Sequence, residues 1–276
     1  MRRWVAAVVG ALLVISGCAA TPPSGFVTGT SLHHISVGGH DRSYRLYKPA
    51  GASASAPLVV VLHGYSGSAA QAERAYGWDQ LAGTGKFVVA YPDGLSRAWN
   101  VDGETCCGRP AREGVDDVAF ITAVVADIAK NLGIDPGKVY ATGMSNGGIM
   151  SYTLACTTDI FSAIGPVAGI QLNPCRSPHP TSVMHIHGTA DRLVPFGGGP
   201  GFSVINGPPV REINSFWRNV DQCGAPTATT NGAITTSTAG CADNRSVVLT
   251  TIDGGGHEWP TFATQRLWEF FAAHSR

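Results

Sequence analysis

The run Gly143-Met144-Ser145-Asn146-Gly147 has the spacing G-x-S-x-G, in which small residues let a tight strand-to-helix turn push the serine oxygen outward. A serine hydroxyl is a weak nucleophile at neutral pH and needs a base, itself oriented by an acid. Two downstream residues fit those parts. Asp191 follows Gly188-Thr189-Ala190, and His257 follows Gly254-Gly255-Gly256, with Asp253 and Asp243 standing as rival acids. An oxyanion formed on attack would need two backbone N–H donors. Asn146, just after the serine, and Tyr65, in His63-Gly64-Tyr65, are placed to offer them. Taken singly, these residues also read as a capping serine, a loop carboxylate and surface or core histidines; their joint order favours chemistry.

The elements that would position them are legible from apolar rhythm. Residues 33–37 and 42–47 alternate and are joined by Gly38-Gly39-His40-Asp41, which predicts an antiparallel hairpin. Residues 58–62 and 87–91 are continuous apolar runs, the mark of strands covered on both faces. Further strands are expected at 138–142, 161–168, 183–187 and 246–252, making eight. Helical spacing runs through 116–132, and helices also suit 149–155, 210–220, 262–274 and a stretch between the second pair of strands. The alternation predicts a mostly parallel eight-stranded sheet flanked by helices. Ser145, Asp191 and His257 each leave a different strand at its carboxyl end, in the order an α/β-hydrolase sheet requires. Residues 196–209 and 225–244, rich in Gly and Pro or in Thr and Ala, are expected to be loops.

Other residues could do chemistry or simply pack. Trp99 and Trp259 lie beside the expected site and could bind substrate by stacking, or serve as ordinary core aromatics. His185 and His187 share one face of their strand; satisfied core histidines are the preferred reading over a metal pair, and no metal site is expected. Cys106, Cys107, Cys156, Cys175, Cys223 and Cys241 are disulfide candidates. Cys223 with Cys241 is the favoured pair, because the segment between them has little else to hold it, while the adjacent Cys106 and Cys107 are expected to find separate partners.

The chain has 276 residues, with nineteen Lys plus Arg balanced by nineteen Asp plus Glu. No cationic surplus exists to neutralise phosphates, so nucleic acid is not an expected partner. Arg2 and Arg3, an apolar run of about a dozen residues and small residues before Cys18 follow the grammar of a signal peptide, too short to span a bilayer. Ile15-Ser16-Gly17-Cys18 resembles a bacterial lipobox. The expected organisation is a signal peptide over 1–17, a lipidated flexible tether over 18–30 with Cys18 as the anchor, and a catalytic domain over 31–276. This would place the protein outside the cytoplasm, held to the membrane by lipid; ordinary secretion is the alternative.

Eight pieces spread along the mature chain carry a resemblance: Leu62-His63-Gly64, Tyr91-Pro92-Asp93-Gly94, Trp99-Asn100, Cys106-Cys107-Gly108, Asp116-Asp117-Val118-Ala119-Phe120-Ile121, Gly143-Met144-Ser145-Asn146-Gly147-Gly148-Ile149-Met150, His185-Ile186-His187-Gly188-Thr189-Ala190-Asp191 and Gly255-Gly256-His257-Glu258-Trp259-Pro260. With them the chain resembles the secreted polyhydroxybutyrate depolymerase and feruloyl esterase family of α/β-hydrolases. The resemblance implies Ser145 as nucleophile, His257 as base, Asp191 as orienting acid, and no cofactor. Tyr65 stands where many members carry Cys, and Thr261 where many carry Gly. The expected function is hydrolysis of carboxylic esters of feruloyl, short-chain acyl or hydroxyalkanoate type. With no second domain or linker visible, small or soluble esters are favoured over solid polymer. A peptidase or acyltransferase with the same triad, and a non-catalytic ligand-binding surface lipoprotein, are the rival readings.

Overall fold

The apolar runs become the centre of one twisted sheet. In the computed structural model, which describes residues 26–102 and 106–276, the strands are β1 (Gly29–Val37), β2 (His40–Lys48), β3 (Leu58–Leu62), β4 (Val88–Pro92), β5 (Val139–Met144), β6 (Ala163–Val167), β7 (Ser182–Gly188), β8 (Gly199–Pro200), β9 (Asn206–Gly207), β10 (Thr227–Asn231), β11 (Ile234–Gly240) and β12 (Ser246–Ile252). Between them run α1 (Ala69–Ala75), α2 (Trp78–Gly85), α3 (Gly108–Glu113), α4 (Asp117–Leu132), α5 (Asn146–Thr157), α6 (Val210–Val220) and α7 (Ala263–Ala272). The main sheet has the order β1-β2-β4-β3-β5-β6-β7-β12-β11-β10, while β8 and β9 pair separately. The six strands from β4 to β12 in that order are mutually parallel, and an antiparallel pair extends each edge.

Side chains on β3 explain the layering. Leu58, Val60 and Leu62 pack with residues of α4, α5 and α6 on one face. Val59 and Val61 pack with α1, α2 and α7 on the other. A strand buried on both sides cannot alternate polar with apolar, which is why it reads as an unbroken run. Chain order reverses at β3, since β4 lies on one side of it and β5 on the other. Such a reversal opens a crevice at the carboxyl ends of the strands.

All eight expected strands are present, and the sheet holds ten. The added pair, β10 and β11, falls in the segment expected to be loop. It forms an antiparallel hairpin in which Thr229 faces Thr236 and Thr230 faces Thr235. Its outer strand is exposed along its whole length, so no buried face leaves an apolar trace in the sequence. β8 and β9 likewise sit within the expected loop 196–209. At the other edge, β1 begins at Gly29, inside the expected tether, with Gly29 opposite Lys48 and Thr30 opposite Tyr47. The expected signal peptide and Cys18 lie outside the described residues.

The cysteines pair as Cys106–Cys107, Cys156–Cys175 and Cys223–Cys241. The third bond is the favoured one, tying the end of α6 to the end of β11. The first corrects the expectation of separate partners: the two neighbours are bonded to each other, at the entrance to α3. Disulfides persist in oxidising compartments, which indicates an extracytoplasmic location. Among the described residues, no helix is long and apolar enough to cross a membrane.

Candidate active site

Ser145 occupies the turn between β5 and α5 with φ 57° and ψ −120°. This backbone is sparsely populated by residues with a Cβ and costs about 1–3 kcal/mol, so the surroundings must hold it. They do so from both sides: Ser145 N–H donates to the Val167 carbonyl at 2.9 Å, and the Ser145 carbonyl accepts from Ile149 N–H at 2.8 Å. Gly147 makes the turn possible. A Cβ there would lie 2.2 Å from the Leu62 carbonyl oxygen and 2.7 Å from that of His63, because the first turn of α5 presses on the end of β3.

The end of β3 forms the adjoining lip. His63 is fully buried, accepts at Nε2 from Gly94 N–H (2.9 Å) and donates from Nδ1 to the Gly64 carbonyl (2.8 Å). Burial pushes its pKa down, favouring the neutral ring that these two bonds require. Its carbonyl accepts from Trp99 Nε1 at 2.8 Å. Asn146 closes the assembly: its Oδ1 accepts from Trp99 N–H (2.8 Å) and its Nδ2 donates to the Trp99 carbonyl (3.2 Å). The residue after Ser145 is thus clamped to the strand-end segment carrying Trp99. At Gly64 an added Cβ would stand 3.6 Å from the Cβ of Ser145, so the main chain of this lip runs directly beside the serine.

Asp191 and His257 are brought together by two interlocked loops after β7 and β12. Thr189 N–H donates to the Ile252 carbonyl and Ala190 N–H to that of Gly255, each at 2.9 Å. His257 Nδ1 meets Asp191 Oδ2 at 2.7 Å, while Asp191 Oδ1 accepts from the N–H groups of Leu193 (2.8 Å) and Val194 (2.9 Å). Burial works against the Asp191 charge, but the bonds from His257 and Val194 outweigh it and hold the carboxyl below its usual range. Of the rival acids, Asp253 instead meets the Thr189 hydroxyl at 3.3 Å, and Asp243 pairs with Arg245 at 3.1 Å.

Ser145 and His257 line the same cleft, about 680 Å³ in volume, with Tyr65 and Asn146 also in its wall. One side of this cleft carried no chemical motif. Among the described residues, the large apolar side chains with substantial exposure are Val27, Tyr65, Leu193, Phe202 and Val204, and all but Val27 border the cleft. Leu193, Phe202 and Val204 come from the segment after Asp191, where apolar residues in a Gly- and Pro-rich stretch were the available clue. Such a concentration of exposed apolar surface suits an apolar part of a ligand.

The two expected stacking residues go elsewhere. Trp99 is fully buried beneath the lip, its indole N–H satisfied by His63, and does not border the cleft. Trp259 stacks on Tyr76 with ring centroids 4.3 Å apart and donates to the Thr264 hydroxyl at 3.0 Å. Tyr76 is a cleft wall, so Trp259 backs that wall from behind. His185 and His187 are hydrogen-bonded to each other at 2.9 Å inside the fold.

Residues 42–195 match the family described as Esterase PHB depolymerase, over more than half of the sequence. The chain belongs to this family. It is similar to the putative esterase NocK of Nocardia uniformis subsp. tsuyamanensis, 35% identical over 257 residues that cover 84% of this chain and 74% of that protein. It is similar also to a probable feruloyl esterase C of Aspergillus oryzae, 31% identical over 278 residues, 94% of this chain and 91% of that one. Among solved structures, the acetyl xylan esterase from Aspergillus awamori superimposes with a TM-score of 0.68 over 88% of this chain and 99% of its own, at 17% identity, a likeness of fold. The fold is that of an α/β-hydrolase, and membership of the family makes the chain a carboxylic ester hydrolase.

Proposed function

We propose that the protein hydrolyses carboxylic esters through a Ser145–His257–Asp191 triad and an acyl-enzyme. One observation carries this reading: Ser145 stands at a strained strand-to-helix turn on the same cleft as His257, whose Nδ1 is held by Asp191 at 2.7 Å. The bond to Asp191 puts the His257 proton on Nδ1 and leaves Nε2 free as a base. His257 Nε2 takes the Ser145 proton as Oγ attacks the ester carbonyl. The oxyanion is met by the N–H groups of Tyr65 and Asn146, each contributing about 2–4 kcal/mol to lowering the barrier. His257 then gives its proton to the leaving alcohol, and water activated by the same ring releases the acid.

The apolar bank of the cleft supports feruloyl, short-chain acyl or hydroxyalkanoate esters as substrates, in keeping with the names of the relatives. The reading extends to organisation: cleavage before Cys18, a lipid on that cysteine and a tether before a catalytic domain would present the cleft outside the membrane. Intact mass of membrane-extracted protein tests this, with an unacylated terminus ruling the anchor out.

Fluorophosphonate labelling followed by peptide mass analysis tests the mechanism. Label is expected on Ser145 of the folded protein and absent after heat unfolding. The Ser145→Ala variant should fold and lose about 10⁴-fold or more of kcat. Ester turnover persisting in a clean preparation of that variant would overturn the triad.

A further inference from the structure

Behind Asp191 lies a polar chain that the reaction does not use. Tyr152 on α5 meets His185 Nδ1 at 2.8 Å, His185 Nε2 meets His187 Nδ1 at 2.9 Å, and His187 Nε2 meets the Val194 carbonyl at 2.8 Å. All three side chains are essentially inaccessible, at 1%, 0% and 1% exposure. Burying three polar groups costs more than burying apolar ones unless each is paired, so their presence asks for an explanation.

Their directions can be read from one end. A backbone carbonyl only accepts, so His187 Nε2 carries a proton. Burial lowers the pKa of both rings, which keeps them neutral and leaves His187 Nδ1 as an acceptor. His185 must then donate from Nε2, its Nδ1 must accept, and the Tyr152 hydroxyl must donate. Every link points the same way, toward Val194.

Val194 is also where the Asp191 turn is fixed. Its carbonyl accepts from His187, while its N–H donates to Asp191 Oδ1 at 2.9 Å. The same His187 Nε2 lies 3.4 Å from Asp191 Oδ2, the oxygen that His257 engages. The titratable groups facing His187 are Asp191 and His257 from the loops and His185 from its own strand, and the Phe196 ring lies 5.9 Å away between centroids. A ring that gave up its neutral state here would compete with His257 for Asp191.

We propose that Tyr152, His185 and His187 form a buried one-way hydrogen-bond chain that positions the Asp191 turn, with His187 as a positioning residue for the orienting acid. This rests on the triad reading. Its purpose is geometric: the chain sets the Val194 backbone, the Val194 N–H aims one carboxylate oxygen, and the other is left to receive His257.

Two independent measurements test it. Side-chain ¹⁵N NMR of the wild-type protein should show His185 and His187 both protonated at Nε2 alone from about pH 5 to 9. Titration of either ring within that range, or a proton on Nδ1, would overturn the chain. In kinetics normalised to fluorophosphonate-labelled sites, His187→Leu should lower kcat about tenfold with KM changed no more than about threefold, because Val194 is the cleft-lining residue that the chain bonds while the exposed side chains of the apolar bank keep their own backbone bonds. His187→Gln, whose amide nitrogen can still reach the Val194 carbonyl, should recover most of that loss. Tyr152→Phe, at the far end, should lower kcat about two- to threefold. An unchanged kcat per labelled site in His187→Leu would overturn the proposal, as would equal losses in the Leu and Gln variants. If wild-type protein is not labelled at Ser145, or Ser145→Ala still turns over, the triad reading has failed instead, and the NMR result stands apart from it.

Discussion

The two banks of the cleft are built by opposite means. On the Ser145 bank, α5, the end of β3 and the Trp99 segment are pressed together until a single added carbon at Gly147 would overlap a carbonyl oxygen, and buried hydrogen bonds fix His63, Trp99 and Asn146. The facing bank presents Leu193, Phe202 and Val204 with 42%, 54% and 48% of their surfaces exposed, on a stretch held by backbone bonds, among them Leu193 N–H to Asp191 and Phe202 N–H to the Leu193 carbonyl, with the side chains themselves left in the open. Positioning a nucleophile requires sub-ångström placement, which crowding supplies. Receiving a variable organic group requires accessible apolar surface instead. On the proposed mechanism the first bank would carry the nucleophile, and the exposed side chains of the second would receive the organic part of the ester.

That division is most severely tested at Gly147. Gly147→Ala places a Cβ 2.2 Å from the Leu62 oxygen, so either α5 or β3 must move. The expected result is a loss of about 3 kcal/mol in stability and at least about 100-fold in kcat, as the serine leaves its position. Denaturant melts and fluorophosphonate labelling rates check both. A variant with normal labelling would show that the crowding is incidental, and the comparison between the banks would lose its basis.

The reverse test removes an apolar ring from the other bank. Phe202→Ala should leave stability within about 0.5 kcal/mol, since more than half of the residue is already exposed. It should reduce kcat/KM for esters of bulky or aromatic acids about five- to tenfold while leaving acetyl esters within about twofold. Parallel assays on an acetyl and an aryl-acyl ester of one alcohol separate the outcomes. An equal fall on both would assign Phe202 to the chemistry and not to selection.

The same contrast governs what the sequence disclosed. Crowded backbone needs glycine at fixed offsets from Ser145, and strands covered on both faces need unbroken apolar runs, so the Ser145 turn and the central strands were legible. Trp99 shows the limit. Proximity to the motifs suggested a role at the substrate, yet the indole N–H has a buried carbonyl partner at His63, a long-range contact that no local spacing displays. The β10–β11 hairpin failed for another reason: threonines facing threonines on an exposed edge have no apolar face to betray a period of two. Its one local signal was Asn231-Gly232, where Gly232 takes φ 58° in the tight turn. The bond between Cys106 and Cys107 could not be inferred from a cysteine count that leaves every pairing open.

The apolar bank leads into α6, and α6 ends at a buried charge whose behaviour bears on how that bank is held. Asp221 Oδ1 accepts from Thr181 N–H at 2.8 Å, at the start of β7, and pairs with Arg245 Nε at 3.1 Å. Burial raises its pKa to about 7 against the opposing pull of Thr181 and Arg245. In the unfolded chain an aspartate titrates near about 3.9. The folded state therefore keeps its proton to higher pH, and the sign follows. The contribution of this group is most favourable below about pH 4, declines as pH rises toward about 7, and is constant above that. Asp221→Asn retains an acceptor for Thr181 and cannot ionise, so between pH 4 and 7 its unfolding free energy should fall less steeply than that of the wild type, by roughly 1–2 kcal/mol across the window. If the banks are as separate as their construction implies, the kcat of this variant at neutral pH stays within about twofold of wild type. Parallel stability slopes would remove Asp221 as the titrating group. A large drop in kcat would instead show that the far end of α6 is mechanically joined to the Ser145 bank, and that the two sides of the cleft are set by one element.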